Sequence, residues 1–132
     1  MEFQLTEEQR LIQETARRIA RERIAPRAAE IDETGEYPHD IFEAFREVGL
    51  LGLTIPQAYG GGGAGTLPLA LAVEEAAKYC CSSGLMLLLS ALSTHPILLG
   101  GSERQKQAWL PRPARGELKG AFCLSEPNAG SD

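Results

Sequence analysis

The chain has 132 residues, the size of one ordinary domain, and it carries 17 Ala and 18 Leu against 7 Ile and 2 Val. Ala and Leu are strong helix formers while β-branched residues favour strands, so this inventory excludes an all-β sandwich or barrel and predicts a mainly helical domain. A hydrophobic fraction of 43% excludes a disordered chain, and a net charge of -5 excludes a nucleic-acid binder driven by phosphate neutralisation.

In chain order, Thr6-Glu7-Glu8-Gln9 has the form of a capping box, with Thr6 as N-cap and Gln9 reaching back to it. Ile12, Ala16, Ile19, Ala20 and Ile24 then recur at helical spacing, opposite a mixed-charge face holding Arg10, Glu14, Arg17, Arg18, Arg21 and Glu22. Mixed charge of that kind predicts a solvated face rather than a basic binding patch. Pro26 ends or kinks this helix, and Ala28, Ala29 and Ile31 predict a further turn or two.

After a turn at residues 34–38, Ile41, Phe42, Phe45 and Val48 predict one face of a second helix, closed by Gly49 at C′. Residues 50–55 are apolar and end at Pro56, which predicts a buried extended link. The glycine-rich loop at 59–65 lacks the Gly-Lys-Ser/Thr of a P-loop and the strand–GxGxxG–helix context of a dinucleotide site, so it is expected to be a flexible connector.

Residues 67–80 predict a third helix, broken by Ser82-Ser83-Gly84. Residues 85–99 predict the central helix of a bundle, interrupted near Pro96. Residues 79–102 contain no Asp, Glu, Lys or Arg, but His95, Pro96, three glycines and five serines favour a bundle helix over a membrane span. Ser102-Glu103-Arg104-Gln105 is a second capping box, opening a short helix stopped by Pro111 and Pro113, with Trp109 expected in the core. No apolar signal segment follows Met1. Cys80, Cys81 and Cys123 form no CxxC pair and read as reduced thiols of a cytoplasmic protein; neither they nor His39 and His95 have metal-ligand spacing, so no metal site is expected.

The last segment changes character. Residues 120–124 have the length and bulk of a buried strand that runs into Ser125-Glu126-Pro127-Asn128-Ala129-Gly130-Ser131-Asp132. Pro127 fixes φ, Gly130 permits close backbone approach, and Ser125 and Ser131 carry hydroxyls able to donate to a phosphate or a ring nitrogen. On chemistry alone a ligand-binding turn and an ordinary loop are equally good readings.

The run Phe-Cys-Leu-Ser-Glu-Pro-Asn-Ala-Gly-Ser-Asp at 122–132 resembles the first half of the acyl-CoA dehydrogenase signature around its flavin site. Pro38, the Val-Gly-Leu-Leu-Gly-Leu at 48–53, Ile55-Pro56 and Tyr59-Gly60-Gly61 resemble the segment joining two helices of that family's amino-terminal domain. Gly101 to Lys106, Leu110-Pro111 and Gly116-Glu117 resemble the stretch before the signature. The resemblance covers essentially the whole chain in the right order.

It implies a helical bundle over residues 1–119, followed at 120–132 by the first strand of a flavin-binding β-domain. It implies FAD as cofactor and α,β-dehydrogenation of an acyl-CoA thioester, with a glutamate taking the α-proton and the β-hydrogen leaving as hydride. Phe122, Cys123, Leu124, Ser125, Gly130 and Ser131 are expected to meet the flavin, the Ser125 hydroxyl donating to its N5 and Gly130 and Ser131 facing a phosphate. Ser131 is also expected near the acyl-CoA. Ser125 stands where the family commonly has Thr, which keeps the hydroxyl; Pro113 stands where it usually has an apolar residue, and the glycine loop is richer than usual.

None of Glu74, Glu75, Glu117 or Glu126 fits the family's catalytic glutamate, so no catalytic residue is assigned, and the 132-residue chain alone is expected neither to hold FAD tightly nor to turn over. A flavoprotein electron acceptor and a dimeric or tetrameric assembly are further implications. The alternatives are a non-catalytic helical interaction module and an acyl-CoA oxidase or flavin monooxygenase relative.

Overall fold

A computed structural model describes residues 4–130. Its elements in order are α1 (Glu7–Ile19), α2 (Ala28–Thr34), α3 (His39–Glu47), α4 (Thr66–Ala77), α5 (Cys81–Gly100), α6 (Glu103–Trp109) and α7 (Pro111–Ala114). The mainly helical class read from composition is the observed one, and no strand forms among the described residues.

The capping box at Thr6 is formed: its side chain accepts from the Gln9 N–H at 3.2 Å, and the Gln9 side chain accepts from the Thr6 N–H at 3.0 Å. Ala16, Ile19, Ala20 and Ile24 are buried and Ile12 is half-buried, as the spacing predicts. Pro26 neither ends the helix nor simply kinks it. A π-helical turn at Ala20–Ile24 and a 3₁₀ turn at Ala25–Arg27 carry the chain directly into α2. A proline ring collides with the carbonyl four residues back in a regular helix, and a widened turn relieves that collision.

Ile41, Phe42 and Phe45 are buried on α3, but Val48 is 40% exposed because the helix ends at Glu47 and Val48 leaves its periodicity. Gly49 follows in the left-handed region, at φ 75°, where a side chain is disfavoured. The expected extended link is instead a 3₁₀ turn at Leu50–Gly52 followed by tight turns, and it is buried. The glycine loop is no flexible connector. The Gly62 N–H donates to the Gly52 carbonyl at 2.9 Å, Gly63 to Ile55 at 2.9 Å and Ala64 to Leu53 at 2.8 Å, pinning the loop on the link. Gly61 lies so close to the Ile55 carbonyl that a Cβ would collide with it.

Helix α4 packs between α1 and α5. Ser82-Ser83-Gly84 does not break a helix: it forms the first turn of α5, while α4 stops at Ala77. The small Gly84 lets Ala77 approach its backbone, so tertiary packing overrides the local breaker signal. Pro96 lies inside an unbroken α5, whose length and composition are enough to cross a membrane; in this fold Met86, Leu87 and Ala91 are buried in the core. That core joins α1, α3, α4, α5 and the 50–53 link around Phe45, Ile24, Ile41 and Leu87. A smaller cluster of Ile55, Leu110 and Ala114 seats α7. Trp109 is 58% exposed, against the core position expected for it, because Leu110 takes the inward position at the end of α6. Pro111 starts α7 rather than stopping the chain's helical course, as suits the first position of a helix.

Candidate functional site

Residues 119–130, which hold the predicted flavin segment, are exposed throughout. Residues 120–124 form no strand, because a strand needs a neighbour to satisfy its backbone and none is present among the described residues. Beyond them the chain makes one tight turn. The Glu126 N–H donates to the Ala129 carbonyl at 2.8 Å and the Ala129 N–H to the Glu126 carbonyl at 3.2 Å, with Pro127 at the position of a β-turn that a fixed φ suits. Phe122 and Leu124 are 42% and 70% exposed, so apolar surface lies open on both sides of Cys123. Ser125 and Gly130 are exposed as well, with open space around the Gly130 Cα. Ser131 lies outside the described residues.

This segment leaves the helical body at a fixed point. Gly120 abuts Ser93 of α5 so closely that a Cβ would strike the Ser93 side chain. The Lys119 ammonium sits 4.0 Å from the Tyr37 ring centroid and 4.7 Å from that of Phe42, both within cation–π range. It also donates to His39 Nδ1 at 3.2 Å, which requires that nitrogen to be the unprotonated one. Burial raises the Tyr37 phenol above its ordinary pKa. Sequence reasoning missed this staple: Lys119 and His39 are 80 residues apart, and no periodicity links them.

Beside the staple lies a cavity of about 350 Å³ between the α2–α3 turn and the first half of α5, walled by Ile31, Phe42, Leu85, Met86 and Leu89. Glu36 and Lys119 stand at its rim.

A separate ion-pair cluster ties α1 to α4. Glu75 on α4 is 2% exposed and accepts from Arg17 of α1 at 3.2 Å and 2.9 Å, and from Lys78 at 2.9 Å. The hydrogen bond from Arg17, helped by Lys78 and opposed by burial, holds its carboxyl down at about 2. An anion so firmly paired is a structural tie between α1 and α4 and not a proton acceptor.

The model of the acyl-CoA dehydrogenase N-terminal domain matches residues 6–117. The chain belongs to the acyl-CoA dehydrogenase family. A probable acyl-CoA dehydrogenase of Bacillus subtilis, YngJ, is 44% identical over 133 residues, covering 100% of this chain and 35% of that protein. Butyryl-CoA dehydrogenase from Megasphaera elsdenii superposes with a TM-score of 0.89 at 35% identity, over 98% of this chain and 35% of the other. A chain from the structure of the electron transferring flavoprotein of Acidaminococcus fermentans superposes with a TM-score of 0.92 at 37% identity, over 99% of this chain and 35% of its own. The chain thus spans about a third of the length of the acyl-CoA dehydrogenase relatives it matches.

Proposed function

We propose that the chain is the amino-terminal part of an FAD-dependent acyl-CoA dehydrogenase, acting in α,β-dehydrogenation of acyl-CoA thioesters. The observation that carries this is the match along the whole chain, through residues 122–130, to a probable acyl-CoA dehydrogenase. Residues 1–119 are the helical body, and 120–132 open the flavin-binding part.

The open segment fits a flavin on its own chemistry. Phe122 and Leu124 offer exposed apolar surface to a flat ring system, and Ser125 offers a hydroxyl donor between them and the turn. Phe122, Cys123, Leu124 and Ser125 would hold the ring, and Gly130 with Ser131 the phosphate side, Ser131 also meeting the acyl-CoA. Bound there, FAD supplies the hydride acceptor. The chain's own contribution is to orient it through Ser125 and to screen one side from water with Phe122 and Leu124. No catalytic base is assigned within these residues. The acyl-CoA substrate, a flavoprotein electron acceptor, a dimeric or tetrameric assembly and a cytoplasmic setting belong to the same proposal; the likeness to a chain from an electron transferring flavoprotein structure supports the kind of acceptor.

The test is a chimera in which this chain replaces the corresponding third of the Megasphaera elsdenii butyryl-CoA dehydrogenase. A flavin spectrum and dye reduction with butyryl-CoA are expected, and Ser125→Ala should lower flavin retention while leaving helicity unchanged. A folded chimera that retains no flavin refutes the reading. The 132-residue chain alone is expected to bind no stoichiometric flavin.

A further inference from the structure

The cavity beside the Lys119 staple has a polarity that the helical packing does not use. Its walls are mainly apolar, from Ile31, Phe42, Leu85, Met86 and Leu89 with Ser82 and Ser90 among them, and its volume of about 350 Å³ falls in the range of small-molecule sites. At its rim stands the Lys119 ammonium, with three N–H donors. One donor goes to His39 Nδ1, the Tyr37 and Phe42 rings lie beneath the charge, and no carboxylate among the described residues forms an ion pair with it. The other cations of the bundle that face carboxylates are paired: Arg17 and Lys78 with Glu75, Arg27 with Glu30 and Asp40, Arg46 with Glu43, Arg112 and Arg115 with Glu117.

We propose that this cavity binds a free alkyl monocarboxylate, its chain lying against Leu85, Met86 and Leu89 and its carboxylate accepting from the Lys119 ammonium. An ammonium with unused donors at the mouth of an apolar pocket selects an amphiphile whose head is an anion and whose tail is a hydrocarbon. A cationic amphiphile meets like charge at Lys119 and finds the aromatic rings already covered. Glu36 acts in the opposite sense. Its carboxylate at the same rim repels the ligand head and keeps binding weak, so removing its charge strengthens the site. The proposal needs neither flavin nor thioester, and it stands or falls separately from the dehydrogenase reading.

The test is a titration of the 132-residue chain, followed by amide nitrogen–proton NMR shifts, with hexanoate and octanoate kept below their micelle concentrations. Octan-1-ol and octylammonium are the controls. Saturable shifts are expected at residues 35–37, 85–90 and 119–120. Octanoate should bind about tenfold more tightly than hexanoate, because two more methylenes are buried. Lys119→Gln should weaken octanoate about fivefold, abolish its advantage over octanol and remove the weakening of its binding by salt. Glu36→Gln should tighten octanoate about threefold. Both side chains are exposed, and unchanged shifts elsewhere in the spectrum verify that each variant is folded. Octylammonium binding as tightly as octanoate, Lys119→Gln leaving octanoate affinity unchanged, or octanoate producing no saturable shifts at these residues would each overturn the proposal.

Discussion

Replacing Glu75 by Gln isolates the charge that ties α1 to α4. The wild-type carboxyl is held at about 2 against an ordinary 4.5, chiefly by its hydrogen bond from Arg17. A shift of that size corresponds to about 3 kcal/mol. Arg17 and Lys78 keep 38% and 47% of their side-chain surface in water, so solvent screening reduces the net contribution to about 2 kcal/mol. The sign follows from the depressed pKa. The stabilisation is fully present above pH 4.5, where the unfolded chain is also ionised, and is lost as pH falls from 4.5 through about 2. Urea unfolding followed by circular dichroism should therefore show Glu75→Gln less stable than wild type by about 2 kcal/mol at pH 7. At pH 2.5 the gap should shrink to below about 1 kcal/mol, because the wild-type carboxyl has then lost most of its advantage. A second arm separates pairing from packing. Arg17→Met combined with Glu75→Leu should recover most of the loss at pH 7, since an apolar pair of similar bulk avoids desolvation altogether. Equal destabilisation of Glu75→Gln at pH 7 and pH 2.5 would refute the electrostatic argument and assign the effect to side-chain shape.

Four other substitutions address the helical frame. Gly61→Ala forces a Cβ into the Ile55 carbonyl and should cost about 2 kcal/mol or more, whereas Gly62→Ala, whose Cβ would find its nearest neighbour at 3.5 Å, should cost under about 1 kcal/mol; matched melting curves check the contrast. Thr6→Ala removes the N-cap acceptor for Gln9 and should destabilise the chain by about 1 kcal/mol in urea unfolding, with faster amide exchange confined to the first turn of α1. Phe45→Ala empties a fully buried site in the main core and should cost about 3–5 kcal/mol, read from the urea midpoint; a loss under 1 kcal/mol would mean that this core is not the one that holds the fold.

Much of the helical frame is legible in local signals. Thr6 with Gln9 and Ser102 with Gln105 mark helix starts, Gly49 marks a stop, and the spacing from Ile12 to Ile24 marks a buried face; each of these acts within a few residues of itself. The misreadings share the opposite property. Ser82-Ser83-Gly84 lies in a helix because α4 approaches Gly84, the glycine loop is fixed by carbonyls about ten residues earlier, and Trp109 yields the inward position to Leu110. Contacts beyond a single helical turn decided all three. The proposed flavin segment is legible as a string of residue types from 122 to 132. Its backbone path was not, since a strand exists only with a partner, and residues 120–124 have none among the described residues. The Lys119 staple and the cavity beside it were invisible for the same reason.

The wide turn at Ala20–Ile24 has a consequence for how this chain tolerates change in length. The Ala25 N–H reaches back five residues to the Ala20 carbonyl, one more than in an α-helix. In register the turn is equivalent to a single inserted residue that the helix absorbed without ending. The wide turn underwinds the chain relative to an uninterrupted α-helix and the 3₁₀ turn at Ala25–Arg27 overwinds it, so the two together set the rotation of α2. Arg27, which pairs with Asp40 at the start of α3, depends on that rotation. Deleting one residue within this turn would keep the chain helical yet swing Arg27 off Asp40, so the fold at this point is written in residue count as much as in residue type.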